Sequence, residues 1–398
     1  MNKNPLAVIF LTVFVDLVGF GIIIPLSPFL ARKFGASAFE IGLLMAAYSG
    51  MQFIFSPFWG GWSDRLGRRP ILLMSIGATA LAHLMFYFST TLWMLFLARA
   101  LAGLFSANIS TASAFIADVT DAKDRSKNMG LIGAAFGLGF VLGPALGGVF
   151  ARVGDNFPAL LAAIISGCNF VAAYFFLPES LAPENRRRRE RKSRIKNIVE
   201  NIRRPIIGTL LSSQFIMGFA MASMEATLFL FVSDRFSWSM EKASYGFAYV
   251  GICIAITQGY LVRKLLPAIG EKKLLIFGLA LFAASFLLMG LSTQVWILAI
   301  AMTMLAVGNG LISPSLTGSL SLLSSPKEQG EILGVNQSLS ALARIFGPPV
   351  GGYFYAQISI TSPFYFSATV SFFGLLLVWL HRAALPSAAQ GQPPAATH

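Results

Sequence analysis

The sequence predicts an all-α integral membrane protein whose twelve transmembrane helices form two pseudo-symmetric six-helix bundles. Of its 398 residues, 56% are apolar and only 12% are charged, which is too apolar for an ordinary soluble domain. Apolar runs of about 20 residues, the length of one membrane span, occur repeatedly with short connections between them. An internal repeat, described below, divides these runs into two sets of six.

The predicted spans cover residues 6–30, 42–62, 71–89, 92–118, 128–152, 158–177, 206–232, 241–265, 272–291, 295–320, 330–356 and 361–381. The first run is predicted to be a retained span rather than a signal peptide. Asp16 and Pro25 interrupt it, and no small-residue cleavage site closes a short apolar core.

The repeat becomes visible when the second half of the chain is shifted by 204 residues against the first. Residues 129–148 then align with residues 333–352, and four glycines and one proline coincide. These are Gly130, Gly143, Pro144, Gly147 and Gly148, which meet Gly334, Gly347, Pro348, Gly351 and Gly352. A helix-for-helix match of this kind is expected of a transporter built from two parallel six-helix halves.

The net charge of +13 does not require a nucleic-acid partner, because most basic residues lie in segments on one side of the membrane. If the N-terminus is cytoplasmic, 23 of the 30 Lys and Arg residues fall in inner segments. The positive-inside rule therefore predicts that both termini are cytoplasmic. The predicted domains are an N-terminal bundle (1–177), a basic cytoplasmic linker (178–204), a C-terminal bundle (205–382) and a disordered tail (383–398).

Two acidic residues lie at predicted membrane depth, where a charge costs about 2.5 to 3.5 kcal/mol. They are Asp16 in the first span and Glu225 in the seventh. Because the two spans are equivalent in the repeat, both acids are predicted to face one central cavity and to bind and release protons. The alternative is that each acid reaches interfacial water from near a helix end.

Two arginines also fall within apolar runs, Arg99 in the fourth and Arg344 in the eleventh. A buried guanidinium must be paired, so Arg99 is predicted to contact Asp16 or backbone carbonyls, unless it snorkels to the interface. Arg344 is predicted to attract an anionic group of a substrate or to partner Glu225. His83 in the third span is interpreted as structural.

Uncharged polar residues within the spans supply further cavity candidates, each of which could instead form an interhelical hydrogen bond. They are Asn108, Gln214, Gln258, Asn309, Asn336 and Gln337. The sequence contains no recognisable catalytic triad, metal-ligand cluster or phosphate-binding loop. It therefore disfavours an enzyme and predicts neither a metal nor a cofactor.

Several short blocks carry a resemblance to a known family. Residues 60–69 place three glycines, Asp64 and three arginines between the second and third spans, and a weaker pattern recurs at residues 270–273. Further blocks are residues 99–103, 117–121, 139–148 and 16–21. On these blocks the chain resembles the major facilitator superfamily, and within it the drug/proton antiporters similar to tetracycline efflux pumps.

The resemblance implies a role in gating for the loop after the second span. Asp64 would lie against the start of the eleventh helix near Gly330, and Arg65 or Arg68 would pair with Asp118. The complete gating set is Asp64, Arg65, Gly67, Arg68, Arg69 and Asp118. The fifth-helix motif of the antiporters would act as a hinge through Gly139, Gly143, Pro144, Gly147 and Gly148.

Two departures limit what the resemblance transfers. Ala82 and Phe282 stand where the tetracycline pumps carry acids, so tetracycline specificity is not carried across. The sequence predicts a proton-coupled antiporter that exports a drug-like or amphipathic molecule, working as a monomer among the lipids of a bacterial inner membrane. The alternatives are a uniporter or symporter of an anionic metabolite or lipid, and a membrane sensor or scaffold without transport activity.

Overall fold

The computed structural model describes residues 5–121, 124–186, 194–325 and 328–385, and every regular element in these ranges is helical. The helices before the linker are α1 (Pro5–Lys33), α2 (Ala38–Leu66), α3 (Arg68–Tyr87), α4 (Leu92–Leu104), α5 (Asn108–Asp118), α6 (Arg125–Ala151) and α7 (Phe157–Phe176). Those that follow are α8 (Arg194–Ile202), α9 (Pro205–Phe236), α10 (Met240–Ile256), α11 (Val262–Leu291), α12 (Val295–Leu322), α13 (Gln329–Gln357) and α14 (Ser362–Leu380).

The predicted membrane architecture is confirmed, since each of the twelve predicted spans falls on helix. Ten helical stretches of the described chain are long and apolar enough to cross a membrane. One of them, Met240–Leu291, contains both the eighth and the ninth predicted span. The eleventh span, α13, is 29 residues long but more polar than these ten. The basic linker run falls largely in residues 187–193 and the predicted tail in 386–398, both outside the described residues.

The fourth span is interrupted, which the sequence did not predict. Helix α4 ends at Leu104 and α5 begins at Asn108. Ser75 of α3 stabilises the interruption, because its hydroxyl donates to the carbonyl of Phe105 and accepts the N–H of Ala107 at 3.1 Å. Backbone groups that would otherwise be unpaired at membrane depth are thereby satisfied.

The expected loop between the eighth and ninth spans is instead a kink in a continuous helix. A π-helical turn, Thr257–Leu261, joins α10 to α11, and the backbone then bends at Gly270 with φ of 76°. Gly67, between α2 and α3, also has a left-handed φ of 110°. Both bends require glycine for the same steric reason, and both fall in the repeated motif.

Close helix packing also follows the repeat. A methyl group added at Gly143 of α6 would lie 2.7 Å from the Cα of Gly21 in α1. One added at Gly347 of α13 would lie 2.6 Å from the carbonyl oxygen of Phe219 in α9. Equivalent glycines therefore permit close approach of the first and fifth spans and of the seventh and eleventh.

The chain forms two compact units. The first comprises Met1–Arg191 and Val232–Gly251, and the second comprises Lys192–Phe231 and Ile252–His398. The segment Val232–Gly251 thus belongs to the first unit, although it comes from the second half of the sequence. The predicted domain bounds, with bundles at 1–177 and 205–382, stay a prediction.

Candidate functional site

A small cavity inside the first unit brings three of the predicted site residues together. Asp16 of α1, Arg99 of α4 and Asn108 of α5 all line it. The other polar residues of its wall are Tyr48, Thr79, His83 and Ser106. The space open to the centre of a water molecule is about 20 Å³, which is enough for ordered water. The cavity is therefore a polar, hydratable site within the span region of this unit.

Arg99 is held in this cavity by aromatic rings. Its side chain is 5% exposed, and its guanidinium carbon lies 4.7 Å from the ring centroid of Tyr48 and 5.9 Å from that of Phe20. Within the described residues its Nε has no hydrogen-bond partner, and no ion pair within 4.0 Å joins Arg99 to Asp16. Cation–π contact thus replaces the predicted direct pairing with the acid.

Asp16 faces the interruption of the fourth span. The side chain of Asn108, the first residue of α5, lies within hydrogen-bonding range of its carboxyl group. Oδ1 of Asp16 and Oδ1 of Asn108 are both buried and lack a hydrogen-bond partner among the described residues. The positive end of the α5 dipole also favours an anion here. The site can therefore accommodate an ionised carboxylate. Oδ1 of Asp16 can still accept a proton, and either oxygen can accept a hydrogen bond from a bound molecule.

Sequence reasoning missed the polar residues that support the broken helix. Ser106, within the break, accepts a hydrogen bond from Nε2 of Gln52 at 2.7 Å and lies 2.9 Å from the hydroxyl of Tyr48. Tyr48 and Gln52 are four residues apart on α2, so they occupy one face of that helix. This spacing of two polar residues on one helix face is the sequence pattern that could have identified Tyr48 and Gln52.

His83 is fixed to α7 rather than free in the cavity. Its Nδ1 lies 3.2 Å from the hydroxyl of Ser166, and its ring also contacts the backbone of Ala162. Because both partners belong to one neighbouring helix, the interpretation of His83 as a structural residue agrees with its geometry.

A second cluster, at the junction of α2 and α3, is organised by Arg68, which is 6% exposed. Its Nη1 lies 2.6 Å from Oδ1 of Asp64 and its Nε lies 3.0 Å from Oδ2 of Asp118. The same Nη1 donates to the hydroxyl of Ser63 at 2.7 Å. Of the two arginines considered for Asp118, the structure places Arg68 there, whereas Arg65 is exposed.

The start of α3 is capped by a residue that the sequence did not identify. Oε1 of Glu179 accepts the N–H of Arg68 at 2.8 Å, and Oε2 accepts the N–H of Arg69 at 3.2 Å. Gly67 has a φ of 110°, which favours glycine, and a methyl group added there would displace the Glu179 carboxylate. Glu179 thus satisfies two of the free N–H groups of α3 from outside the helix.

Arg69 lies at the outer edge of the same cluster. Its Nη2 donates to the carbonyl of Tyr174 at 2.6 Å, and its guanidinium carbon lies 5.6 Å from the Tyr174 ring centroid. The predicted contact between Asp64 and the start of the eleventh helix stays a prediction.

In the second unit, the predicted polar residues lie on two packed helices. Gln214 of α9 donates from Nε2 to the hydroxyl of Ser340 in α13 at 3.0 Å. Asn336 of α13 is 7% exposed, and its Oδ1 lacks a hydrogen-bond partner within the described ranges. Arg344 of α13 acts electrostatically on the carboxylate of Glu225 in α9. Gln214 and Glu225, eleven residues apart, fall on nearly the same face of α9.

The remaining candidates of this unit differ in exposure. Gln258, in the π-helical turn, is exposed, as are Gln337 and Arg344 of α13, whereas Asn309 of α12 is half-buried. Exposed polar side chains at membrane depth avoid lipid and line water-filled space. Gln337 and Arg344, seven residues apart, fall on nearly the same face of α13.

Residues at the C-terminal ends of α6 and α1 form ion pairs with the Val232–Gly251 segment of the same unit. Arg152 contacts Oε1 of Glu241 at 2.5 Å, and Arg32 contacts Oδ1 of Asp234 at 2.6 Å. The hydrogen bonds that Arg152 donates to Glu241, together with the negative charge of Glu241, raise the pKa of Arg152 above its ordinary value. An added methyl group at Gly148 would lie 3.1 Å from Tyr245. Gly148 of the predicted hinge therefore packs closely against α10.

Comparison with known proteins gives one consistent result. The family model described as Major Facilitator Superfamily matches residues 9–269 and 259–397. The class D tetracycline resistance protein of Salmonella ordonez is 32% identical over 361 residues, which cover 90% of this chain and 91% of that protein. Multidrug resistance protein 2 of Bacillus subtilis (strain 168) is 31% identical over 388 residues, covering 95% and 96% of the two chains.

Solved structures agree on the fold. The human organic anion transporter MFSD10 (TETRAN) superposes with a TM-score of 0.73 at 24% identity, covering 94% of this chain and 100% of that one. A POT family transporter in complex with a thioalcohol-conjugated peptide superposes with a TM-score of 0.78 at 14% identity, covering 95% and 96%. At these identities the likeness concerns the fold alone.

Proposed function

Because the chain belongs to the major facilitator superfamily, we propose that it is a secondary transporter that exports a drug-like or amphipathic small molecule in exchange for protons. The cavity in which Asp16, Arg99 and Asn108 meet carries this proposal. It places an acid and a cation in one buried site at membrane depth, where ionisable groups mark ion and substrate pathways. The substrate class follows the curated relatives named for tetracycline and multidrug resistance.

Asp16 is the proposed proton site of the first unit. Its carboxyl group has one fixed neighbour, Asn108, and an oxygen without a hydrogen-bond partner among the described residues, so a proton can be added without breaking an ion pair. Arg99, held by Tyr48 and Phe20, contributes a fixed positive charge to the same cavity.

Glu225 is the proposed second acid, with Arg344 as its modulator. It is the twenty-first residue of α9, whereas Asp16 is the twelfth of α1. At 1.5 Å per residue, Glu225 lies about 14 Å further along its helix. Gln214, Gln258, Asn309, Asn336 and Gln337 are the proposed substrate-cavity residues of the same unit as Glu225.

The Arg68 cluster and the α6 glycines are proposed to control access. Arg68 ties α2 to the end of α5 through Asp64 and Asp118, so movement of either helix is transmitted to the other. Gly143 allows α6 to lie directly on α1, where a small rotation changes the position of Asp16. Protonation at Asp16 can thus be coupled to rearrangement of the α2–α3 junction.

The test is uptake into proteoliposomes driven by an imposed pH gradient, with ethidium and tetracycline as probes. We expect Asp16→Asn to abolish pH-driven uptake while substrate exchange without a gradient persists, because the neutral side chain still fits the cavity. Glu225→Gln should reduce pH-driven uptake in the same way. Asp155→Asn, an exposed acid paired with Lys33, is the matched control and should leave uptake unchanged. If Asp16→Asn and Glu225→Gln both transport at the wild-type rate under the gradient, the coupling assignment is wrong.

The chain is an integral membrane protein, and we place it in a bacterial inner membrane as a working monomer with both termini in the cytoplasm. The concentration of basic residues in alternate connecting segments supports this orientation. Labelling of single cysteines in intact cells with a membrane-impermeant maleimide tests it directly, since inner segments must stay unlabelled.

A further inference from the structure

Helix α8, nine residues long, ends two residues before α9 and exposes apolar side chains while burying a polar one. Ile195 is 72% exposed, Val199 43% and Ile202 39%, whereas the polar residue Asn201 is only 5% exposed. Nδ2 of Asn201 is satisfied by the carbonyl of Asn197 at 3.0 Å. A surface helix of a soluble protein normally turns its apolar side inward and its polar side to water. In α8, apolar side chains remain outside.

The exposed apolar residues form one strip with basic residues along its edge. At about 100° per residue, Ile195, Val199 and Ile202 fall within about 60° of one another around the helix. Lys196 and Arg203 follow next around the helix, and both are exposed. The strip and its cationic border together have the pattern of a helix that lies in a membrane interface.

The position of α8 places this strip at the level of the membrane surface. A methyl group added at Gly208 would clash with the carbonyl oxygen of Ile202, so α8 touches the first turn of α9. Nη2 of Arg204 lies 3.8 Å from Oε2 of Glu328, the residue before α13. Helix α8 is therefore fixed against the adjacent ends of two membrane helices and does not extend away from them.

We propose that α8 is an interfacial helix that binds anionic lipid. Ile195, Val199 and Ile202 insert among the acyl chains next to the headgroups, and Lys196 and Arg203 bind lipid phosphates. Residues 194–204 contain four basic side chains and one acidic one, which complements a negatively charged leaflet. Only the assignment to the cytoplasmic leaflet rests on the orientation proposed above.

The experiment uses the full chain with Cys168 and Cys253 replaced by serine and one new cysteine labelled with an environment-sensitive fluorophore. In vesicles of phosphatidylcholine and phosphatidylglycerol, a label at Val199 should emit at shorter wavelength and be quenched several-fold more by spin-labelled lipid than a label at Glu200. Glu200 is the matched control because it is the next residue and lies on the charged side of α8. Equal lipid quenching at the two positions overturns the proposal. A label at Val199 shielded from both lipid and aqueous quenchers also overturns it, since protein then covers the strip.

The preference of α8 for anionic lipid headgroups is tested by a separate measurement. Lys196→Gln combined with Arg203→Gln should reduce lipid quenching at Val199 in vesicles with phosphatidylglycerol, whereas Lys264→Gln, an exposed basic residue on α11, should not. Quenching that is identical with and without phosphatidylglycerol overturns the anionic-lipid assignment. Maleimide labelling of the Val199 cysteine from outside intact cells would overturn the orientation alone, because the vesicle result does not depend on it.

Discussion

Removal of the Glu179 carboxylate should lower the free energy of unfolding, because this carboxylate caps the N-terminus of α3. The size of the loss follows from the contacts of Glu179. In Glu179→Ala, the N–H groups of Arg68 and Arg69 lose their acceptors, which lie at 2.8 and 3.2 Å. Loss of a helix cap costs about 0.5–2 kcal/mol, and loss of an anion at a helix N-terminus about 0.3–1 kcal/mol. Because the Glu179 side chain is partly open to water, we expect a total of about 1–2 kcal/mol.

The assay is unfolding of the purified protein in mixed micelles of increasing denaturing detergent, followed by tryptophan fluorescence. Glu179→Gln should lose about half as much free energy of unfolding, because one amide oxygen can still accept the Arg68 N–H. Glu184→Ala, an exposed acid five residues further along, is the matched control and should unfold like the wild type. If Glu179→Ala and Glu184→Ala unfold at the same detergent fraction, the capping argument is refuted.

Three further substitutions test other contacts. Arg68→Lys keeps the positive charge, but a lysine cannot bridge two carboxylates. The variant should lose about 2–4 kcal/mol of unfolding free energy and most of its transport activity. Uptake at the wild-type rate would contradict the bridging role. Gly143→Ala should cost about 1–3 kcal/mol because α1 must move away, whereas Gly137→Ala, which has open space around it, should be neutral in the same detergent assay. Arg152→Glu should slow uptake, and the added Glu241→Arg should restore it; failure of the double variant to recover would exclude a role for this pair.

Much of the fold follows from the sequence because membrane spans are local features. A run of about 20 apolar residues can be recognised from the sequence as a membrane span. The offset of 204 residues between equivalent glycines relates the two halves without any knowledge of contacts. Asp16, Arg99 and Asn108 were identified individually because charged and amide groups at membrane depth are costly. Their meeting in one cavity required the interruption of the fourth span, which no local pattern indicates.

The features that the sequence did not reveal depend on partners far apart along the chain. Ser75 stabilises the broken fourth span from 30 residues away, and Glu179 caps α3 from 111 residues away. Arg152 and Glu241 are separated by 89 residues. In the sequence alone, a serine such as Ser75 or an acid such as Glu179 has no distinguishing pattern, so its role can be assigned only from the packed helices.

The close packing of α1 on α6 has a consequence for synthesis in the cell. The last residue of α6, Ala151, is added 118 residues after the end of α1, Lys33. At a synthesis rate of about 5–20 residues per second, α1 is complete roughly 6–24 s before α6 is complete. For most of that time Gly21 has no partner surface and Asp16 lacks the shelter of Asn108. We therefore expect a variant's abundance in cells to depend on this stage of synthesis, whereas its stability after purification depends on the assembled helices.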